Sequence, residues 1–294
     1  MFYKMSLQNF KNRFETETAC IQQLVQLKWP DGFICPRCGH RSSYTIQSRR
    51  HPLFECRLCR HQTSAIAGTI MEGSRTPLTK WFLALYLLTN CDTGLSAAKL
   101  GRVIHVTYKT AWLILHKIRH AIGHLDASLP LQGDVRAFSE IYGRPYNPTI
   151  YRHKQEHPVW ISASLTPARN PQYMKIKLIS NDHLSGRSIL KLGITAFREQ
   201  HIGQNVQEVS IYPRRFGHDR PPAYHTRWRH IRECIWSTHR GIGRRHLQAY
   251  LNEYCYRYNI TSAETGDMLC LLKASVCSSS PVKVNSERSS LLAA

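Results

Sequence analysis

Cys35-Pro-Arg-Cys38 and Cys56-Arg-Leu-Cys59 are two C-x-x-C pairs separated by 17 residues. Each pair fits a tight turn that aims both sulfurs at one point. Two such turns build a tetrahedral four-thiolate site of the kind that holds structural Zn²⁺. Gly39 follows the first pair, where a knuckle turn favours glycine. The surrounding segment, residues 33 to 66, is rich in Cys, Arg and His and poor in apolar side chains. A module of that composition needs a staple to fold, and thiolate ligation supplies it. Cys35, Cys38, Cys56 and Cys59 are therefore the expected zinc ligands. His40, His51 and His61 lie nearby, but four sulfurs already fill the coordination shell. Arg37, Arg41, Arg49, Arg50, Arg57 and Arg60 stud the same segment and suit phosphate contacts.

Working outward, residues 1 to 30 read as a helical lead-in and 31 to 70 as a zinc ribbon. Residues 74 to 125 change character. Leu78, Trp81, Phe82, Leu85, Tyr86 and Leu88 recur at three and four, which is a helical period. A second helix is expected over Ser96 to Arg102, with Ser96 as N-cap, and a third from Thr107 to a stop at Gly123. A helix, a short turn and a second helix make a helix-turn-helix pattern. Its second helix would present Tyr108, Lys109 and His116 to a DNA groove, with Lys117 and Arg119 reaching the backbone. Residues 131 to 277 read as mixed α/β, with strands at Val159 to Leu165 and Tyr173 to Ile179 and helices at Arg187 to Glu199 and His246 to Tyr258. Residues 278 to 294 are a Ser-rich tail.

The totals agree. Of 294 residues, 40 are Lys or Arg and 19 are acidic, a formal charge of +21. That excess suits a polyanionic partner, DNA first. Hydrophobic content of 42% is that of a globular chain rather than a disordered one. No apolar run reaches the roughly 18 residues of a membrane span, and Met1 to Phe10 holds no signal-peptide core. A cytoplasmic protein with no membrane partner is expected. Paired cysteine spacing in a reducing compartment points to metal before disulfide. The remaining Cys20, Cys91, Cys234, Cys255, Cys270 and Cys277 read as small buried apolar groups.

Several stretches resemble bacterial insertion-sequence transposases that join an N-terminal zinc ribbon to an RNase H-like catalytic domain. They are Trp29-Pro-Asp-Gly-Phe-Ile-Cys-Pro-Arg-Cys-Gly-His40, Phe54-Glu-Cys-Arg-Leu-Cys-Arg-His-Gln-Thr-Ser64, Ala67-Gly-Thr-Ile70 and Arg75-Thr-Pro-Leu-Thr-Lys-Trp-Phe82. Tyr108-Lys-Thr-Ala-Trp112, His116-Lys-Ile-Arg119, Thr238-His239, Gly241, His246-Leu-Gln-Ala-Tyr-Leu-Asn-Glu-Tyr254 and Tyr256-Arg-Tyr-Asn259 extend the likeness. The resemblance implies a zinc ribbon and helix-turn-helix followed by an RNase H-like mixed-sheet α/β domain. It also implies cutting and joining of DNA at the terminal inverted repeats of a mobile element, by a multimer on paired ends. In the family, three residues of the Asp, Asp, Glu or Asn type hold two Mg²⁺ ions that activate the attacking oxygen and steady the leaving one.

Here those three positions fall on Phe138, Val209 and His230, and the family's nearby Lys falls on Arg232. Phe and Val cannot bind Mg²⁺, which needs hard oxygen ligands, and His prefers softer metals. Asp134, Glu140, Asp182, Glu208, Asp219 and Glu233 are acids without a family anchor. The expectation is a transposase-like protein that binds DNA, holds zinc and is impaired in catalysis. The alternatives are an active transposase whose acids lie among those six, and a zinc-ribbon DNA-binding regulator. His239 and His246 are expected either to orient the last helix or to touch DNA.

Overall fold

The computed structural model describes residues 5–48, 51–143, 152–213, 222–263 and 268–277. Arg49, Arg50, Asp219 and the tail 278–294 lie outside the described residues, as does the side chain of Cys277.

The lead-in forms two helices, α1 (Leu7–Phe14) and α2 (Glu17–Lys28). Ser6 and Thr16 cap them, their hydroxyls accepting the N–H of Asn9 and Ala19. The ribbon follows as an antiparallel three-stranded sheet, β1 (Ser43–Ile46), β2 (Leu53–Cys56) and β3 (Gln62–Ser64), in that order. Next come α3 (Leu78–Thr89), α4 (Ala97–Val103) and α5 (Tyr108–Ser128). Ser96 and Thr107 cap α4 and α5 as the sequence predicts, accepting from Lys99 N and Thr110 N. α3 starts at Pro77, which offers no capping side chain. Glu17 takes that role from α2, its carboxylate accepting the N–H groups of Leu78 and Thr79 at 2.9 and 3.2 Å. A carboxylate at a helix N-terminus satisfies orphan donors and the positive end of the dipole together.

Gly123 does not end α5, which runs on to Ser128. A Cβ on Gly123 would sit 3.3 Å from the Asn252 amide nitrogen, so the glycine is there for the close approach of two helices.

The second part is a mixed four-stranded sheet. β4 (Leu131–Tyr142), β5 (His157–Leu165) and β6 (Pro171–Leu178) run antiparallel in sequence. After a 3₁₀ turn at Asn181–His183 and a two-residue ladder of β7 (Leu184–Ser185) with β8 (Ser188–Ile189), α6 (Lys191–His201) crosses over. β9 (Ile202–Tyr212) then pairs parallel to β4, giving the order β6-β5-β4-β9. The helix expected from Arg187 starts at Lys191, because residues 184 to 189 form that ladder instead. Two further helices, α7 (Pro222–His239) and α8 (Arg244–Ala263), complete this part.

Side chains alternate across the sheet. Val135, Ala137 and Trp160 face α6, where Phe197 meets Trp160. Phe138, Tyr142, Val159 and Ile161 face α7 and α8. α8 lies along the outer edge of β6 and saturates its backbone. Asn259 bonds both the N–H and the C=O of Met174. Gln248 accepts from Leu178 N and donates to Ile176 O, and Tyr258 donates to Pro171 O.

α9 (Met268–Cys277) turns back to the first part of the chain. Its Met268, Leu271, Leu272 and Val276 join the core made by α1 to α5, and Ile70 N donates to Ser275 O. The α9 side chains thus share a core with residues of α1 to α5.

α8 also packs on α5, and polar joints reinforce the contact. Arg119 of α5 pairs with Glu253 of α8 at 2.6 Å, with both side chains buried. Asp126 of α5 receives Lys175 and Lys177 from β6. Burial holds the Lys175 pKa down, against the pull of the Asp126 carboxylate.

Candidate metal centre and nucleic-acid interface

The two C-x-x-C turns are built alike. Gly39 N donates to Cys35 O and Cys35 N to His40 O, each at 2.9 Å. In the second turn Arg60 N donates to Cys56 O and Cys56 N to His61 O, at 3.1 and 2.9 Å. Both turns need a left-handed residue at the equivalent place: Gly39 with φ 74° and Arg60 with φ 58°. The four sulfurs converge within 4.8 Å of one another. Cys35 Sγ lies 3.6 Å from Cys59 Sγ, and Cys38 Sγ lies 3.6 Å from Cys56 Sγ. A tetrahedron with Zn–S bonds of about 2.3 Å has S···S edges of about 3.8 Å. The spacing fits that tetrahedron and is far too long for disulfides, whose S–S bond is about 2.05 Å. Trp29, Phe33 and Phe54 pack edge-on and stacked beneath the site, anchoring the ribbon to α2. Lys28 donates to Ser64 O and Ala67 O and fixes the ribbon's far end.

The expected DNA-facing residues separate into two groups. Arg37, Arg57 and Arg60 are exposed on the ribbon. Arg57 stacks over the Tyr44 ring at 4.6 Å, and Arg60 makes an exposed pair with Glu55. Tyr108 and Lys109 stand exposed in the first turn of α5, with Tyr108 64% accessible. α4 and α5 meet through residues 104 to 107, where Gly101 lets them close: a Cβ there would lie 3.0 Å from Val106 O.

The other three sit elsewhere. Arg119 is 2% exposed; besides Glu253 it donates to Leu95 O and lies 3.8 Å over the Tyr250 ring. It is a structural cation and cannot reach a phosphate. Lys117 is half-buried, donates to Glu72 O and has its pKa lowered by burial. His116 is half-buried, stacked on Trp112 at 4.9 Å and edge-on to His246. His239 packs edge-on to Tyr250, and burial together with the Arg119 cation pulls its pKa to about 4. Both histidines thus seat α8 by ring packing.

The three family positions do not converge. Phe138 is buried, stacked on Tyr212 at 4.9 Å and packed against Tyr224 of α7 at 4.8 Å. Its register partner on β9 is Tyr212, whereas Val209 pairs with Val135. Val135 belongs to the α6 face, so Val209 and Phe138 point to opposite sides of the sheet. The β9 position beside Phe138 is Tyr212, three residues along from Val209. His230 is exposed on α7, its Nε2 3.5 Å from Cys234 Sγ. Of the unanchored acids, Asp134 and Glu208 are register partners on β4 and β9. Asp182 takes the Ser180 hydroxyl in the 3₁₀ turn, and Glu233 is exposed on α7. Glu140 is half-buried opposite Val159. Among the described residues the four cysteines are the one group of three or more metal-type ligands that come together.

The aromatic cluster and the buried cations carried no signal at the level of single residues. Sequence spacing could have found the Phe138–Tyr212 pairing only with the strand register, which a bulge between Leu131 and Asp134 shifts. Cys20, Cys234 and Cys255 are buried, as expected of small apolar groups, whereas Cys91 and Cys270 are half-buried, Cys91 donating to Gly94 O. Among the described residues no helix is long and apolar enough to cross a membrane.

A four-thiolate ribbon leads into a helical unit and a mixed α/β sheet. Residues 15–62 match the transposase zinc-ribbon domain, and the chain is similar to insertion-sequence transposases. An uncharacterized protein in transposable element ISH50 of Halobacterium salinarum is 32% identical over 126 residues, 42% of this chain and 40% of the relative. The chain thus aligns with about two fifths of that relative's length. No solved structure matches.

Proposed function

We propose that this chain is a transposase-like protein that binds the ends of a mobile element and does not cut them. The ribbon and a helix-turn-helix made by α4 and α5 hold the DNA, with Arg37, Arg57, Arg60, Tyr108 and Lys109 as the contacts. The β4 to β9 sheet with α6, α7 and α8 is read as an RNase H-like domain, since its order and its one parallel pair place β4 and β9 side by side.

The observation that carries the loss of cleavage is the Phe138–Tyr212–Tyr224 cluster. Two tyrosine rings close around Phe138, the first family position, while Val209 faces the other side of the sheet, so no set of carboxylates surrounds that place. Mg²⁺ does not fit there: aromatic carbon offers no ligand, and burial among rings excludes the waters Mg²⁺ keeps. No catalytic step is therefore assigned to that site. The Asp134–Glu208 pair is the one acid pair in register across β4 and β9. Among the described residues no third ligand closes on it.

The test is a labelled duplex carrying the element's terminal repeat, incubated with zinc-loaded protein and Mg²⁺ or Mn²⁺. Binding that weakens steeply with salt, with no strand cleavage, is the expected result. Metal-dependent cleavage that Asp134→Ala abolishes would falsify the reading and move the active site to the Asp134–Glu208 pair.

A further inference from the structure

α7 has two faces. Tyr224, Trp228, Ile231, Cys234 and Ile235 are buried against the sheet and α8. The opposite face carries Arg229, Arg232 and Trp236, all exposed, and the Trp236 indole is 53% accessible. The spacing of i, i+3 and i+7 puts the three on one stripe, and at about 1.5 Å per residue it extends roughly 10 Å. Arg240 follows in the left-handed cap that ends the helix, its N–H donating to Trp236 O. Glu233 is the one carboxylate on this face, against three guanidinium groups. Along α7, Tyr224 meets Phe138 and Trp228 meets Tyr142, the last residue of β4, so the stripe begins beside the carboxyl end of that strand.

We infer that this stripe is a binding surface for single-stranded DNA, with Arg229 and Arg232 on successive phosphates and Trp236 stacked on an unpaired base. The inference rests on the DNA-binding reading above and adds a second contact to it. The chemistry selects the strand state. A duplex has its bases already stacked, so an indole framed by arginines gains little from it. An unpaired base offers a free π-face, and such stacking is tolerant of sequence. The guanidinium groups supply the sequence-independent attraction to phosphate. The ribbon and α5 hold the duplex, and the stripe receives a strand released at its end.

The experiment uses the full zinc-loaded chain and two labelled probes, a blunt duplex and the same duplex with an oligothymidylate tail, read by fluorescence anisotropy. Wild-type protein is expected to bind the tailed probe more tightly. Trp236→Ala should lose about 5- to 150-fold on the tailed probe and nothing on the blunt one, and Trp236→Phe should recover most of the loss. Arg229→Ala with Arg232→Ala should lower the slope of log affinity against log salt by about 1.4 on the tailed probe. Equal binding of both probes by the wild type, or a Trp236→Ala protein unchanged on the tailed probe, overturns the stripe while leaving DNA binding intact. Binding of neither probe overturns both.

Discussion

Arg60 and Gly39 hold equivalent left-handed positions in the two knuckles, yet only one of them is the residue that adopts that conformation freely. A non-glycine side chain in this region costs about 1–2 kcal/mol. Arg60→Gly should therefore leave zinc affinity unchanged or raised while weakening DNA binding, as titration with a competing chelator and anisotropy would show in parallel. Arg119 and Lys109 make the opposite contrast. Arg119→Ala leaves the buried Glu253 carboxylate with Arg257 alone, at 3.6 Å, and should cost up to about 3 kcal/mol in urea unfolding. Lys109→Ala should leave unfolding untouched and reduce DNA affinity. If Arg119→Ala unfolds like the wild type, the buried pair has no structural weight. In sequence both are basic residues on a helix of a basic chain. Glu253 is 134 residues from Arg119, so nothing local separates the structural cation from the proposed nucleic-acid contacts.

At the scale of elements, helix starts were legible because their chemistry is local. Ser96 and Thr107 cap where a hydroxyl precedes an apolar period, and the cysteine knuckles declare themselves by spacing. Features set by distant partners were not legible. Gly123 reads as a stop, but its neighbour is Asn252 of α8. The Pro77 helix start is completed by Glu17 from α2. The facing of Val209 depends on a bulge in the pairing of β4 with β9. The outer edge of β6 is a further case. Gln248 and Asn259 act there as two rungs of a missing strand, which protects an edge that would otherwise recruit another chain. Asn259→Ala leaves the Met174 N–H and C=O without partners, at about 2–4 kcal/mol for the pair. Lower urea midpoint together with light scattering that grows with protein concentration is the expected outcome. A drop in stability without self-association would show that the edge is shielded by other means.

For the whole molecule, acid and chelation should act on different parts. His201 and His239 both have pKa values near 4, lowered first by burial and then by nearby cations. Below the ordinary histidine value of about 6.5 the unfolded chain binds these protons and the folded one does not. Stability is thus full above about pH 6.5 and falls as pH drops towards 4, by on the order of 1 kcal/mol for each group after solvent screening. A midpoint flat across that range, with His239→Gln identical to the wild type, would count against it. Chelation should instead collapse the ribbon, whose sheet has few apolar contacts of its own, and leave the strands of the α/β sheet protected from hydrogen exchange.

The return of α9 to the first core has a consequence for how the protein is made. Met268, Leu271, Leu272 and Val276 complete a hydrophobic interior whose other walls are finished by Ile122. Roughly 150 residues separate the two, which at about 5–20 residues per second is a delay of about 10–30 s during which that interior lies open. The first core is thus closed by side chains that are made long after its other walls, and its exposed interior is the surface most open to aggregation during synthesis.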